Sequence, residues 1–122
     1  NPKLELTGLV LVISGVTICI LARKQLGTNW THAVDYQIKS QHALVTSGVY
    51  HFISHPIYTG LILAFIGSEL IVSSYLALFL FPLLLFGAYF QGKREEAILV
   101  KHFRKKYETY MRQTKMIIPY FI

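Results

Sequence analysis

The sequence predicts an all-α integral membrane protein: a polytopic bundle of about three transmembrane helices with a cytoplasmic loop and a C-terminal amphipathic helix. Two observations predict this class. The chain of 122 residues is 53% hydrophobic and only 15% charged, with a mean hydropathy of +0.45, which is too apolar for disorder and unusual for a water-soluble domain. Its apolar residues also form long runs with charges at their ends. We therefore treat residues 1–122 as a single membrane domain.

The charge balance narrows the possible partners. Twelve Lys and Arg compare with six Asp and Glu, giving a net charge of +6. In a polar protein this excess would suggest nucleic acid. In a chain this apolar, basic residues are expected at the membrane–water interface, so the predicted partner is the lipid bilayer and not nucleic acid. The single cysteine, Cys19, excludes an intramolecular disulfide and a cysteine-built zinc site.

The first predicted span is residues 6–22. This stretch contains no charged residue, and Arg23 and Lys24 follow it directly. Its length falls within the range of about 17–25 residues that one helical crossing needs. A secretory signal peptide would carry its positive charges before the apolar stretch, so we interpret this segment as a retained transmembrane helix.

The next apolar region, residues 57–90, is too long for one span of about 20 residues. Only Glu69 and the serine pair at 73–74 interrupt it. Dividing the region at the serines predicts two short spans, 57–72 and 75–90, joined by a tight turn. Glu69 is close to that turn, so its carboxylate is expected to reach the nearer interface.

Three spans place the loop 23–56 and the tail 91–122 on the same side of the membrane. Every Lys and Arg except Lys3 lies in these two regions. Because cytoplasmic loops retain basic residues, both regions are predicted to be cytoplasmic. A site could therefore form where the loop and the tail meet at one end of the bundle.

The tail begins with an abrupt change to charged residues after Phe90. Apolar and aromatic residues then recur at steps of three and four, with basic residues on the other faces, which predicts an amphipathic helix held at anionic lipid. The apolar positions are Leu99, Phe103, Tyr107, Tyr110 and Met111. This pattern does not explain the adjacent carboxylates Glu95 and Glu96, which could favour a helix start or bind an ammonium or sugar hydroxyls.

The loop contains most of the histidines. His51 and His55 are four residues apart, a spacing that suits a metal on one helix face, but a di-iron site needs further histidine clusters and His102 is isolated. We therefore predict no metal. Pro56 predicts the start of the second span, since proline is accepted in the first turn of a helix. That helix start also offers free N–H groups to an anion such as a ligand carboxylate. The His55-Pro56 pair could therefore serve only to start the helix or could also bind a ligand.

Three blocks of the sequence resemble the isoprenylcysteine carboxyl methyltransferase family and the related phospholipid methyltransferases. The blocks are residues 42–50 (HALVTSGVY), residues 55–60 (HPIYTG), and the glutamates 95–96 with the aromatic tail up to Pro119. The resemblance covers roughly residues 27–120. It implies an integral membrane enzyme that uses S-adenosyl-L-methionine as its methyl donor.

The resemblance also implies which residues contact the donor. In the first block, the positions that match the family's donor contacts are the H-x-L-V residues and the tyrosine that follows them, with a glutamine upstream. In the other two blocks they are the His-Pro-x-Tyr residues and the first glutamate. They are Gln37, His42, Ala43, Leu44, Val45, Tyr50, His55, Pro56, Ile57, Tyr58 and Glu95. These residue types suit a ligand that carries an adenine, ribose hydroxyls, an ammonium, a carboxylate and a sulfonium.

Two positions depart from the family pattern in ways that bear on the substrate. Ser54 stands where the family usually has an arginine, and Gln91 stands where it has a substrate-associated arginine. Arg94 lies one helical turn from Gln91, so we predict that these two residues orient the substrate. Loss of a bidentate carboxylate donor leaves the acceptor atom open between a carboxylate oxygen, an amine nitrogen and a thiol sulfur.

The predicted function is transfer of a methyl group, most simply to oxygen, on a lipophilic acceptor such as an isoprenylcysteine carboxylate at the cytoplasmic face. The chain has no glycine-rich strand-to-helix turn, which argues against a Rossmann methyltransferase. An NADPH-dependent membrane reductase of the sterol or steroid type is the nearest alternative, since it shares the His-Pro-x-Tyr-x-Gly block. Glu95, Glu96 and Ile57 favour methyl transfer over reduction. A third hypothesis is a non-catalytic membrane subunit whose basic tail binds lipid or a partner.

Overall fold

A computed structural model describes residues 1–27, 44–118 and 122, apart from the side chain of Ala77. The described chain is helical, and its one strand-like feature is an isolated parallel bridge between Ile53 and Lys115. The all-α prediction is thus confirmed. The elements in order are α1 (Pro2–Leu26), a short 3-10 helix (Gly48–His51), α2 (Pro56–Ile71), α3 (Leu76–Phe103) and α4 (Lys105–Gln113).

Helix α1 contains the first predicted span, residues 6–22, and extends beyond both ends of that span. Asn1 caps the helix by accepting a hydrogen bond of 2.9 Å from the backbone N–H of Lys3, and Pro2 occupies the first turn. Gly27, with φ of 56°, ends it. Its most apolar stretch has a mean hydropathy of 2.3, and among the described residues α1 is the one helix long and apolar enough to cross a membrane.

Helices α1 and α2 form an antiparallel pair whose backbones meet at glycines. Gly15 contacts Gly60, and Gly8 contacts Gly67. A Cβ atom added at Gly67 would lie 2.5 Å from the carbonyl oxygen of Gly8 and 2.8 Å from the backbone nitrogen of Val12. No side chain fits at this separation, so the small residues set how closely the helices approach.

A single methyl group should therefore disrupt this pair. We expect Gly67→Ala to lower the free energy of unfolding by about 1–3 kcal/mol, because neither backbone can move away without loosening the whole contact. Chemical unfolding in detergent measures the change. The matched control is Gly87→Ala on α3, where an added Cβ meets nothing within 4 Å and the better helix propensity of alanine should preserve or raise stability. Equal stability of the two variants would contradict the close packing.

The turn between α2 and α3 lies at the predicted serines. Ser73 adopts φ of 55°, its N–H donates to the carbonyl of Leu70 at 3.0 Å, and the N–H of Ser74 donates to that of Glu69 at 2.8 Å. The Ser74 hydroxyl oxygen then accepts from the N–H of Leu76 at 3.2 Å, at the start of α3. The predicted span 57–72 differs from α2 by one residue at each end.

The third helix corrects the sequence prediction. Helix α3 continues unbroken to Phe103, so the helix does not end at residue 90, where the predicted span ends. The charged residues that follow Phe90 are good helix formers, and a change in composition does not interrupt the backbone hydrogen bonds. The helix instead ends at Arg104, with φ of 55°, and α4 follows at once. Glu95 and Glu96 thus lie well inside α3, which excludes their interpretation as a helix start.

Buried side chains concentrate where the start of α2, the second half of α3, α4 and the chain after it come together. The buried apolar residues are Ala22, Tyr50, Ile53, Ile62, Tyr107, Tyr110, Met116 and Ile117. Elsewhere α1, α2 and the first half of α3 expose large apolar side chains, among them Leu6, Leu61 and Phe79. An apolar surface of this extent suits contact with lipid.

Candidate active site

The residues just before α2 are held by the chain that follows α4. The N–H of Ser54 donates to the carbonyl of Lys115 at 2.8 Å, and the N–H of His55 donates to that of Met116 at 2.9 Å. Inside α2, the Thr59 hydroxyl donates to the carbonyl of Ile117 at 2.6 Å. These bonds form a short parallel ladder. It fixes the position of His55, the N-cap of α2, from a segment about sixty residues later in the chain.

The imidazole of His55 is buried, with 7% of the residue exposed, and is placed by three neighbours. Its Nε2 atom lies 3.2 Å from Oε2 of Glu95, and its Nδ1 atom lies 3.1 Å from the hydroxyl oxygen of Ser54. The ring also stacks on Tyr58, with centroids 5.6 Å apart and planes 4° from parallel. The Pro56 ring in the first turn of α2 is buried beside it.

Glu95 is the polar centre of this cluster and joins α3 to the start of α2. The residue is 5% exposed. Its Oε1 atom accepts hydrogen bonds from the Tyr58 hydroxyl and, at 3.3 Å, from the Gln91 amide. With His55 at Oε2, three side chains surround the carboxylate, as a buried charge requires.

The predicted substrate-orienting pair adjoins this carboxylate. Gln91 is half-buried, and its Oε1 atom accepts a hydrogen bond of 3.2 Å from Nη1 of Arg94. Arg94 itself is exposed. The guanidinium, the amide and the carboxylate therefore form a chain of contacts that runs from the surface to the buried cluster.

Except for Ile57, the remaining predicted donor contacts come before α2 in the chain. Tyr50 is buried in the 3-10 helix, Leu44 and Val45 are half-buried before it, and Ile57 is half-buried in α2. Gln37, His42 and Ala43 lie outside the described residues. Of the predicted set, the structure brings His55, Tyr58 and Glu95 into direct contact.

Sequence reasoning missed Gly92 and the segment that forms the ladder. A Cβ atom added at Gly92 would lie 2.6 Å from the sulfur of Met116 and 3.5 Å from Cε1 of His55, so the glycine lets this segment pack closely against α3. A glycine within a charged helical stretch was the available signal. No feature of the sequence indicates the contacts of residues 115–117.

Glu96, next to Glu95, has different surroundings. It is equally buried, at 5% exposed, and its Oε2 atom lies 3.6 Å from Nζ of Lys93. Glu96 and Lys93 line a cavity of about 250 Å³, together with Ser54, Tyr89, Thr114 and Met116. The two glutamates thus belong to different environments on α3, and only Glu95 contacts His55.

The spacing of His51 and His55 does not create a shared helix face. His51 ends the 3-10 helix and is exposed, whereas His55 precedes α2 and is buried. No three His, Cys, Asp or Glu side chains converge as a metal site within the described part of the chain.

Comparison with known proteins identifies the relatives of this chain. It is 34% identical over 116 residues to a probable protein-S-isoprenylcysteine O-methyltransferase from Oryza sativa subsp. indica, covering 93% of this chain and 60% of that protein. It is 29% identical over 118 residues to the Homo sapiens protein-S-isoprenylcysteine O-methyltransferase, covering 96% of this chain and 42% of the human one. The chain thus spans between two fifths and three fifths of these relatives.

A solved structure has the same fold. The eukaryotic intramembrane Ras methyltransferase, isoprenylcysteine carboxyl methyltransferase, superposes with a TM-score of 0.82 at 31% identity, over 97% of this chain and 43% of that one. The phospholipid methyltransferase family profile matches residues 4–106. These matches confirm the resemblance seen in the three sequence blocks: the chain belongs to the phospholipid methyltransferase family.

Proposed function

We propose that this chain binds S-adenosyl-L-methionine and carries the donor site of a membrane methyltransferase. Its acceptor is a lipophilic molecule, an isoprenylcysteine carboxylate or a related lipid, and the methyl group goes to oxygen. The observation that carries the proposal is the buried cluster of His55, Tyr58 and Glu95, which joins the start of α2 to α3. The names of the relatives, all O-methyltransferases, support the reaction class.

The side chains of the cluster suit the charged groups of this donor. Glu95 is a carboxylate held in place by three neighbours, so it can attract an ammonium with little reorganisation. The start of α2 presents the positive end of the helix dipole, and His55 makes no side-chain cap there; a ligand carboxylate fits this place. Tyr50 and Tyr58 offer aromatic rings.

The protein has little covalent chemistry to perform. The bound donor would supply a methyl group already activated by a sulfonium, and transfer would form the bond from the acceptor oxygen to the methyl carbon as the carbon–sulfur bond breaks, with S-adenosylhomocysteine as the leaving group. The residues of this chain then act by binding, alignment and exclusion of water. His55 and Tyr58 hold the Glu95 carboxylate, and the ladder to residues 115–117 holds His55.

Arg94 is placed to bind a negatively charged acceptor. Its guanidinium reaches the buried cluster through Gln91, and a guanidinium can bind a carboxylate through two parallel hydrogen bonds. The acceptor group would thus lie over the exposed side of α3, one turn from the donor site. Its apolar part would enter laterally between helices.

Arg94→Gln should therefore act on the acceptor and spare the donor. We expect its KM for an isoprenylcysteine analogue to rise about tenfold, because a charge-assisted hydrogen bond contributes about 1.5–3 kcal/mol. The affinity for S-adenosylhomocysteine should stay within twofold. The control is Arg112→Gln, an exposed arginine on α4, for which both constants should match those of the unsubstituted chain. A weaker donor affinity with unchanged KM would contradict this role of Arg94.

We further propose the membrane arrangement that the basic residues suggest, with three spans and the loop 23–56 and tail 91–122 on the cytoplasmic side. The length of α3 supports it. Its 28 residues extend about 42 Å at ~1.5 Å per residue, whereas the hydrocarbon core is about 30 Å thick. If the hydrocarbon begins at Leu76, it covers about 20 residues of α3, so Glu95 would lie at its edge and the roughly eight residues that follow would extend beyond it, where a water-soluble donor can approach.

Equilibrium binding to the detergent-purified chain tests the proposal. Titration with S-adenosylhomocysteine and, separately, with NADPH distinguishes methyl transfer from reduction. We expect saturable binding of S-adenosylhomocysteine alone. Binding of NADPH alone would favour a reductase, and binding of neither ligand to folded protein would favour the non-catalytic membrane subunit.

A further inference from the structure

Tyr110, on α4, reaches the backbone of the chain that precedes α2. Its phenol is buried, with 5% of the residue exposed. The hydroxyl donates a hydrogen bond of 2.5 Å to the carbonyl oxygen of Tyr50 and lies 3.5 Å from the carbonyl oxygen of Ile53. Burial raises the pKa of the Tyr110 phenol, so it keeps its proton and remains a donor at physiological pH.

The two carbonyls belong to a part of the chain that changes conformation sharply. The 3-10 helix ends at His51, where the N–H of Phe52 donates to the carbonyl of Val49 at 3.3 Å. By Ile53 the chain is extended and forms the bridge to Lys115. Buried carbonyls at such a transition need partners from elsewhere, and the Tyr110 hydroxyl donates to that of Tyr50 and lies within reach of that of Ile53.

The Tyr110 contact is continuous with the ladder to residues 115–117. The Thr114 hydroxyl donates to the carbonyl of Tyr110 at 2.8 Å, at the end of α4, and the chain then enters the ladder with Ser54 and His55. One segment, from Tyr110 to Ile117, therefore contacts the backbone at Tyr50, Ile53, Ser54 and His55 in turn. Side-chain and backbone contacts together fix the path between two predicted donor contacts, Tyr50 and His55.

We propose that Tyr110 is a positioning residue of the donor site, an inference that rests on the proposed function. Tyr110 shapes the site through the carbonyls of Tyr50 and Ile53 and does not touch the ligand. The hydroxyl sets the distance between the Tyr50 ring and the start of α2. Without it, the chain from Tyr50 to Ile53 keeps its sequence and its hydrophobic packing but loses its fixed geometry.

Tyr110→Phe tests this role because it removes one oxygen atom and keeps the ring. We expect its Kd for S-adenosylhomocysteine to rise about fivefold to tenfold, the effect of losing one or two buried hydrogen bonds. Amide hydrogen exchange should become faster at residues 50–55 in the absence of ligand. The control is Tyr75→Phe, which removes the same oxygen atom from an exposed tyrosine directly before α3, and its Kd should be unchanged.

The outcomes separate this inference from the donor site on which it rests. If the unsubstituted chain does not bind S-adenosylhomocysteine, the donor site is wrong and the positioning role falls with it. If the unsubstituted chain binds but folded Tyr110→Phe binds equally well, only the positioning role is overturned. A lower melting temperature with unchanged Kd would likewise overturn it, since the hydroxyl would then serve stability alone.

Discussion

Glu95→Gln is expected to weaken binding of S-adenosylhomocysteine by about two orders of magnitude. The carboxylate accepts from the Tyr58 hydroxyl and the Gln91 amide and faces Nε2 of His55. An amide has one oxygen in place of two and turns an N–H₂ donor toward other donors. The variant also lacks the negative charge that we assign to the ligand ammonium, and buried charged hydrogen bonds cost the most when broken. Calorimetric titration of the detergent-purified chain measures the loss.

The control for this variant makes the same change in net charge on an exposed surface. Glu108→Gln lies on α4 and is exposed, so its Kd should match that of the unsubstituted chain. Thermal unfolding of both variants shows whether a loss of affinity comes from loss of the fold. Full affinity in folded Glu95→Gln would exclude the cluster as the donor site.

Features of the fold that depend on local sequence were predictable. Pro56 predicted the start of α2, and the serine pair predicted the turn before α3, because proline and short polar residues restrict the backbone where they stand. Glycines recur in the first two apolar segments, and such small residues allow helices to approach as closely as α1 and α2 do. Each of these signals acts within a few residues, or depends on residue size alone.

The end of α3 was not predictable from the same kind of signal. The change to charged residues after Phe90 marks a change in the expected surroundings of the helix, and helical hydrogen bonds continue through it to Phe103. The helix ends at Arg104, where φ is 55°, although neither Phe103 nor Arg104 is a residue that usually ends helices. Composition therefore indicated the interface and not the end of the helix.

The candidate site was predictable only in part, and for a physical reason. The resemblance named His55, Tyr58 and Glu95, but nothing in the spacing of positions 55 and 95 shows that an imidazole and a carboxylate lie 3.2 Å apart. The contact of Tyr110 with Tyr50 and the ladder to residues 115–117 were not predicted because they involve backbone atoms. Backbone hydrogen bonds between distant segments place few demands on side-chain identity.

The site also derives rigidity from the α1–α2 pair. Gly60 lies one turn after Pro56 in α2, and a Cβ atom added there would lie 2.5 Å from the sulfur of Cys19. The start of α2 is thus held against α1 on one side and against residues 115–117 on the other. A donor site fixed from both sides would lose little entropy when it binds its ligand, which is the condition for catalysis by positioning.

His55→Ala is the second substitution for which we expect a large loss of donor affinity, about thirtyfold or more. It removes the imidazole from Oε2 of Glu95 and from the face of Tyr58, which leaves a buried carboxylate short of one partner. The start of α2 should survive, because His55 makes no side-chain cap and its backbone N–H still donates to Met116. Binding should therefore fall much further than stability.

His51→Ala provides the matched comparison, since this histidine is exposed at the end of the 3-10 helix, four residues before His55. Its Kd for S-adenosylhomocysteine should stay within twofold of that of the unsubstituted chain, whereas His55→Ala loses at least an order of magnitude. Similar losses in both variants would point to a role of the whole loop or to a shared metal. An unchanged Kd in folded His55→Ala would instead show that the imidazole only fills space between α2 and α3.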